Sequence, residues 1–115
     1  MPARFVVIWE TPDDPESFED HYRNVHIPLA HKLPGLRSYT VSRNLRPVRG
    51  DAPYLVGELE WDDLESLRAA FASPEGQANA ADVNELAQNA RVRSMIYEVM
   101  DSGDLIGSRS PRDTS

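Results

Sequence analysis

The chain opens with a hydrophobic segment, residues 5–9, in which every side chain is β-branched or aromatic. A stretch rich in proline and aspartate follows at residues 11–15, so the pattern predicts a β-strand that ends there. Successive side chains of a strand point to opposite faces, which places Val6 and Ile8 together on the face opposite their neighbours. Because both faces are apolar, both sides of the predicted sheet must be covered.

Residues 14–32 have the periodicity of a helix. Asp14 and Pro15 suit an N-cap and a first helical residue, where the missing proline N–H costs nothing. Counted at about 100° per residue, the apolar side chains form one stripe that would pack on the sheet. The stripe comprises Phe18, Tyr22, Val25, Leu29 and Leu33.

His26 falls at the edge of this stripe, and a proline follows two residues later. Pro28 cannot donate a hydrogen bond to the carbonyl of Asn24, and its ring presses against that carbonyl, so the helix should kink or loosen there. The same count places His21 on the opposite side of the stripe and His31 in solvent. A bend beside His26 indicates a cleft with this histidine as its polar centre, although hydrogen bonding to a backbone carbonyl is the commoner role at such spacing.

The rest of the pattern predicts three strands, at residues 37–43, 54–61 and 93–100, and two helices. Asp62 begins the first of these helices in a capping-box-like arrangement, and Ser73 followed by a proline begins the second, weaker one. The resulting order, β-α-β-β-α-(α)-β, is the split βαβ arrangement of a ferredoxin-like α+β fold.

One domain is expected over residues 1–101, followed by a flexible tail over residues 102–115. The helices of such a domain cover only one face of its sheet. On the other face, the pattern places Val6, Ile8, Ile96 and Met100. The simplest cover for these apolar side chains is a second copy of the same sheet, which predicts a homodimer.

Composition excludes several classes of function. Lys and Arg number 12 against 19 Asp and Glu, for a net charge of -7, and so acidic a surface disfavours nucleic acid and membrane partners. The chain has no cysteine, which removes disulfides, thiolate nucleophiles and Cys-ligated metals. Its first apolar run is too short for a secretory signal, so a cytoplasmic location is expected.

Familiar catalytic patterns are missing from the sequence. The three histidines stand five residues apart, whereas helical metal pairs stand three or four apart, so no metal site is expected. The glycines do not form a phosphate-binding loop, and there is no Gly-x-Ser-x-Gly elbow.

The run over residues 18–41 resembles the EthD family. The features that carry the resemblance are an aromatic residue, Tyr22, ahead of a His-x-Pro-Leu motif at residues 26–29, then Leu-Pro-Gly at residues 33–35 and a strand tyrosine, Tyr39. Weaker similarity continues to the last predicted strand. The resemblance implies a dimeric α+β barrel, in agreement with the two apolar faces of the sheet.

The resemblance also bears on activity. Members of the family accompany gene clusters for ether breakdown, aromatic catabolism or polyketide tailoring. The related methylmuconolactone methylisomerase performs cofactor-free proton chemistry in a cleft between helices and sheet. Its cleft histidine and tyrosine match His26 and Tyr39, while its third-strand cysteine falls at about Leu59. Because this chain has no thiol, that particular isomerisation is not expected of it.

The leading hypothesis is a cofactor-independent enzyme acting on a small, mostly apolar molecule that is carbonyl-bearing or aromatic. His26 would exchange a proton and Tyr39 would donate to the developing oxyanion. The apolar part of the substrate would be lined by Tyr22, Leu29, Leu59 and Trp61. Two alternatives stay open: a non-catalytic protein that holds a hydrophobic intermediate, and an oxidoreductase that works without a cofactor or through haem.

Overall fold

The computed structural model describes residues 1–106 and consists of one antiparallel sheet with helices on one face. The strands are β1 (Ala3–Trp9), β2 (Ser38–Ser42), β3 (Leu55–Trp61) and β4 (Val92–Glu98). The helices are α1 (Pro15–His21), a π-helical segment (Tyr22–His26), α2 (Ile27–Ala30), α3 (Leu64–Ala72) and α4 (Pro74–Leu86). The strand order is β2-β3-β1-β4, with every neighbouring pair antiparallel, so the predicted ferredoxin-like α+β fold is confirmed.

Residues 102–106, which begin the predicted tail, have helical backbone conformation, and residues 107–115 lie outside the described part of the chain. The boundary after residue 101 and the flexibility of the tail therefore stay predictions. Across residues 1–106, none of the helices has both the length and the apolar character needed to cross a bilayer.

Side-chain caps start the helices largely where the sequence indicates. The carboxylate of Asp14 accepts a backbone N–H at 3.2 Å, and the hydroxyl of Ser73 accepts one at 3.0 Å. These two predicted caps are confirmed. The N-cap of α3 is Asp63, which accepts a backbone N–H at 2.7 Å, so the prediction of Asp62 was wrong by one residue.

The backbone between α1 and α2 widens into a π-helical turn. The N–H of Ile27 donates to the carbonyl of Tyr22, five residues earlier rather than four. Pro28 follows directly and has no N–H to give to Asn24, whose carbonyl its ring would crowd in a regular α-helix. The local distortion predicted from the proline is therefore present, and it takes the form of a π-helical turn.

This wider turn shifts the buried stripe by one residue. Up to Tyr22 the inward positions are those predicted, but Val25 is 40% exposed and His26 is buried in its place. One turn later Ala30 is buried, while Leu29 is only partly covered. A π-helical turn accommodates one extra residue, so the inward positions of the helical run after it move one step along the chain. Leu33 lies beyond the end of α2 and is buried as predicted. His26 thus enters the core instead of lying at its edge.

The uncovered face of the sheet differs in one strand from the prediction. Val6 pairs with Met95 and Phe5 pairs with Ile96, and paired residues of antiparallel strands point to the same face. Met95 therefore lies on the uncovered face, whereas Ile96 lies on the helix-covered face with Phe5. The prediction for Ile96 was wrong because it counted alternation within a strand without the register. Met100 lies beyond the end of β4.

Candidate functional site

One carboxylate bridges two histidines between the α1–α2 helical run and α4. Nδ1 of His26 lies 2.8 Å from Oδ2 of Asp82, and Nε2 of His21 lies 2.7 Å from Oδ1. His21 and His26 were predicted on opposite flanks of the apolar stripe, and this was wrong because both contact the same side chain. The π-helical segment between them is more loosely wound than an α-helix, which brings side chains five residues apart closer to one face.

The hydrogen bonds to Asp82 determine how His26 can act. An ionised carboxylate only accepts hydrogen bonds, so the proton of neutral His26 is on Nδ1 and the lone pair is on Nε2. Burial lowers the pKa of His26 below its ordinary value of 6.5, against the opposing effect of the hydrogen bond to Asp82. His26 is therefore neutral near pH 7 and has a basic nitrogen available.

A pair of tyrosines lies against this histidine. The ring of Tyr22 stacks on His26 with centroids 5.3 Å apart, and its hydroxyl forms a short hydrogen bond with the hydroxyl of Tyr39 on β2. Burial raises the pKa of Tyr22 to about 12 and also raises that of Tyr39, so both phenols are protonated near neutral pH. One of the two O–H groups donates to the oxygen of the other. The second O–H can therefore donate to another acceptor.

Gly57 on β3 makes room for the tyrosine pair. A Cβ at this position would lie 3.2 Å from the hydroxyl oxygen of Tyr22 and 3.4 Å from a ring carbon of Tyr39. The first distance is below ordinary van der Waals contact and the second is at its lower limit, so an added methyl group would press on the Tyr22 hydroxyl. Sequence analysis did not single out this glycine.

Gly57→Ala is expected to lower the free energy of unfolding by about 1–3 kcal/mol, because the added methyl group overpacks the tyrosine pair. Equilibrium unfolding in urea measures the change. The matched control is the same substitution in a Tyr22→Phe background, where the nearest atom is gone and the cost should shrink. A Gly57→Ala protein as stable as the wild type would contradict this role of the glycine.

The predicted site residues separate into two groups. Tyr22 contacts both His26 and Tyr39, and Leu59 pairs with Tyr39 across the sheet, so Leu59 adjoins this group. Trp61 is fully buried, and its indole N–H donates to the carbonyl of the Leu-Pro-Gly turn at 2.9 Å. These contacts place Trp61 in the structural core that holds this turn.

Leu29 lies apart from the tyrosines. It lines a cleft between α2 and α4, together with Lys32, Pro74, Glu75 and Ala78. The proposed roles of all six residues in binding or catalysis stay predictions.

Asp82 is the functional candidate that sequence analysis missed. It belongs to a helix whose apolar content is thin, and it is 56 residues from His26 in sequence. A signal was nevertheless present, because Asn79, Asp82, Val83 and Leu86 recur at the spacing of one helix face. A carboxylate on an inward helix face requires a partner, and the two histidines supply it.

Within residues 1–106, no group of three or more His, Asp or Glu side chains is placed to hold a metal ion. The chemistry that these residues can supply by themselves is proton transfer. His26 provides a base, the carboxylate of Asp82 stabilises its protonated form, and the phenols provide a donor for negative charge on oxygen.

Comparison with known proteins identifies several relatives. The family model described as the EthD domain matches residues 11–90. An uncharacterised 11.0 kDa protein from the thcB–thcC intergenic region of Rhodococcus erythropolis is 33% identical over 86 residues, covering 73% of this chain and 82% of that protein. The crystal structure of an ethyl tert-butyl ether D (EthD) family protein from Bacillus halodurans has a TM-score of 0.77 at 35% identity, covering 87% of this chain and 100% of the other.

Two more distant solved structures share the fold. SnoaB, a cofactor-independent oxygenase from Streptomyces nogalater, has a TM-score of 0.64 at 19% identity, covering 88% of this chain and 95% of its own. A dimeric ferredoxin-like protein of unknown function from Bacteroides fragilis has a TM-score of 0.62 at 19% identity, covering 85% and 96%. At such identities the likeness concerns the fold alone.

Proposed function

This chain belongs to the EthD family, and on that premise we propose that it is a cofactor-independent enzyme performing proton transfer on a small, mostly apolar substrate that is carbonyl-bearing or aromatic. The observation that carries the proposal is the arrangement around His26. This imidazole is buried, its Nδ1 is held by Asp82 at 2.8 Å, and its ring stacks on one member of a hydrogen-bonded tyrosine pair.

The reaction begins at Nε2 of His26. This nitrogen takes a proton from a carbon next to the substrate carbonyl, and the carbon's electron pair moves toward the carbonyl oxygen. The imidazolium that forms is stabilised through its Nδ1–H by the charge of Asp82. The enolate oxygen accepts a hydrogen bond from the remaining O–H of the Tyr22–Tyr39 pair. In an unsaturated substrate the enolate is conjugated with a C=C bond, so return of the same proton to the far end of that bond moves the double bond and completes an isomerisation, and no cofactor enters the balance.

A cofactor-free oxidative reaction is the second candidate, because SnoaB has the same fold and is an oxygenase that works without a cofactor. Proton removal by His26 would be common to both routes, with the substrate anion then reacting with O₂ instead of regaining its proton. Non-catalytic binding of a hydrophobic intermediate is the third possibility. It would use the same residues without proton transfer.

Deuterium exchange tests the proposal directly, because the C–H signal reports proton removal whatever product forms. The protein is incubated in D₂O under argon with a panel of unsaturated lactones and aromatic ketones, and the C–H signals next to each carbonyl are followed by NMR. We expect exchange faster than in buffer for at least one compound. Binding of panel members without exchange would contradict proton transfer and favour the carrier function. Product formation only after admission of air would favour oxygenation.

We also propose that the protein is a homodimer joined through the uncovered face of the sheet. That face presents apolar side chains from three strands, including Val6, Val56 and the 49% exposed Met95, and one fold neighbour is described as dimeric. The same face carries Arg4 in ion pairs with Glu58 and Glu60, so it combines an apolar patch with charged groups, as protein interfaces with a polar rim do.

Met95→Glu is expected to convert the dimer to a monomer, because each protomer would bury an unpaired carboxylate in the interface. Light scattering at micromolar concentration measures the mass. The matched control is Val48→Glu, since Val48 is fully exposed outside the sheet and should not affect the mass. A wild-type protein that is monomeric at all concentrations tested would contradict the proposal.

A further inference from the structure

We infer that His21 is a positioning residue that sets the base strength of His26 through the carboxylate they share. The effect on catalysis rests on the proposed function, but the coupling between the two histidines does not. Neither His21 nor Asp82 is assigned to the reacting atoms. Both act on His26 at Nδ1, whereas the substrate would meet the other ring nitrogen, Nε2.

Each carboxylate oxygen of Asp82 lies within hydrogen-bond distance of a histidine nitrogen. Oδ2 is 2.8 Å from Nδ1 of His26, and Oδ1 is 2.7 Å from Nε2 of His21. Exposure rises along this chain of contacts, from 6% for the side chain of His26 to 9% for Asp82 and 33% for His21. His21 is thus the member that exchanges protons with solvent directly, and Asp82 transmits its charge state inward.

The effect of the Asp82 charge on His26 depends on whether His21 is protonated. While His21 is neutral, the negative charge is available to stabilise a proton on His26. When His21 gains a proton, its positive charge offsets the carboxylate and opposes a second positive charge on His26, so the pKa of His26 falls. Groups that interact in this way titrate as a coupled pair rather than independently.

Other titratable groups near His26 do not replace this effect. Asp82 faces it from α4, and Tyr22 faces it from its own segment, with Tyr39 of β2 bonded behind Tyr22. Both tyrosines are held in their neutral form by burial, which raises their pKa values. The ring of His31 packs on Tyr39, and the side chain that shares Asp82 with His26 is that of His21.

The surface around His21 favours contact with solvent ions. His21 lines two clefts that carry the acidic side chains of Asp13, Asp14, Glu16, Asp20 and Glu85. Such a ring of carboxylates attracts cations, protons included, toward the exposed end of the histidine pair. A change of pH at the surface would therefore alter the base strength of His26, which is itself almost fully buried.

The test is a pH titration of the His26 side-chain signal by NMR in the full-length protein, compared with His21→Gln. Glutamine keeps an N–H donor for Asp82 but can carry no charge. We expect the titration midpoint of His26 to rise by about 0.5–1 pH unit in His21→Gln, because the opposing charge is gone. The matched control is Arg49→Gln, which removes an exposed charge from the loop between β2 and β3 and should leave the midpoint unchanged.

The titration needs no substrate, so its outcome is separate from that of the proposed function. An unchanged His26 midpoint in a folded His21→Gln protein would overturn the inference, whether or not exchange activity is found. If His21→Gln does not fold, the wild type still decides: coupling requires the His26 signal to change in a second step over the pH range in which the His21 signal titrates. Where exchange activity exists, the acidic limb of its pH profile should move to higher pH in His21→Gln by the same amount as the midpoint.

Discussion

His26→Gln is expected to lower the rate of substrate deuterium exchange by about 10²- to 10⁴-fold, the range that a positioned general base contributes. Glutamine retains an N–H that can reach the carboxylate of Asp82 and has a similar volume. It has no basic nitrogen at the position of Nε2. The loss therefore falls on proton abstraction, and the NMR exchange assay in D₂O measures it directly.

Two variants make this result interpretable. Arg49→Gln changes an exposed side chain in the loop between β2 and β3 and should exchange at the wild-type rate. Asp82→Asn keeps a polar partner for His26 without the negative charge, so its rate should fall between those of the wild type and His26→Gln. Exchange at the wild-type rate in His26→Gln would show that another group removes the proton.

Trp61→Ala is expected to lower the free energy of unfolding by about 3–5 kcal/mol, as removal of a buried aromatic side chain does. The indole is fully buried, meets the ring of Phe71 edge-on at 5.8 Å and donates to the carbonyl of Pro34 at 2.9 Å. Its ring also lies 3.3 Å from the position a Cβ would take at Gly35, whose φ is +74°. Urea unfolding followed by circular dichroism measures the loss.

Trp61→Phe should be less costly than Trp61→Ala. Phenylalanine keeps one aromatic ring but loses the second ring of the indole and the N–H that donates to Pro34, so its cost should be about 2–3 kcal/mol. If Trp61 instead served substrate binding with little structural role, Trp61→Ala would lose less than about 1 kcal/mol. His26 adjoins the other buried cluster, which contains Tyr22. Its side-chain NMR signal should therefore be unchanged in a folded Trp61→Phe protein.

The fold was predictable because its determinants are local. The strand at residues 54–61 was predicted within one residue of β3, and Asp14 and Ser73 cap the helices as expected. Alternation and capping act over a few residues, so they are visible in the chain itself. The uncovered face of β4 was assigned wrongly because register depends on pairing with β1, which no property of residues 93–100 reveals.

The site was predictable only in part, for two physical reasons. His26, Tyr22 and Tyr39 lie within one stretch of sequence, but Asp82 joins them through a tertiary contact spanning 56 residues. The depth of His26 was also misjudged, since a count at 100° per residue assumes i→i+4 hydrogen bonds throughout the helix. Pro28 predicted a distortion of the helix there. A proline does not by itself determine that the distortion is a π-helical turn with one additional residue.

That additional residue has an evolutionary consequence. The helical run from Pro15 to Ala30 would turn a valine to the interior if it were regular, and it turns a histidine inward because of a single-residue register slip. Loss or gain of one codon in this stretch would exchange an inert apolar contact for a titratable one without altering any residue's identity. Chemistry in such a domain can thus arise or vanish through an indel, and a comparison limited to substitutions would overlook the event.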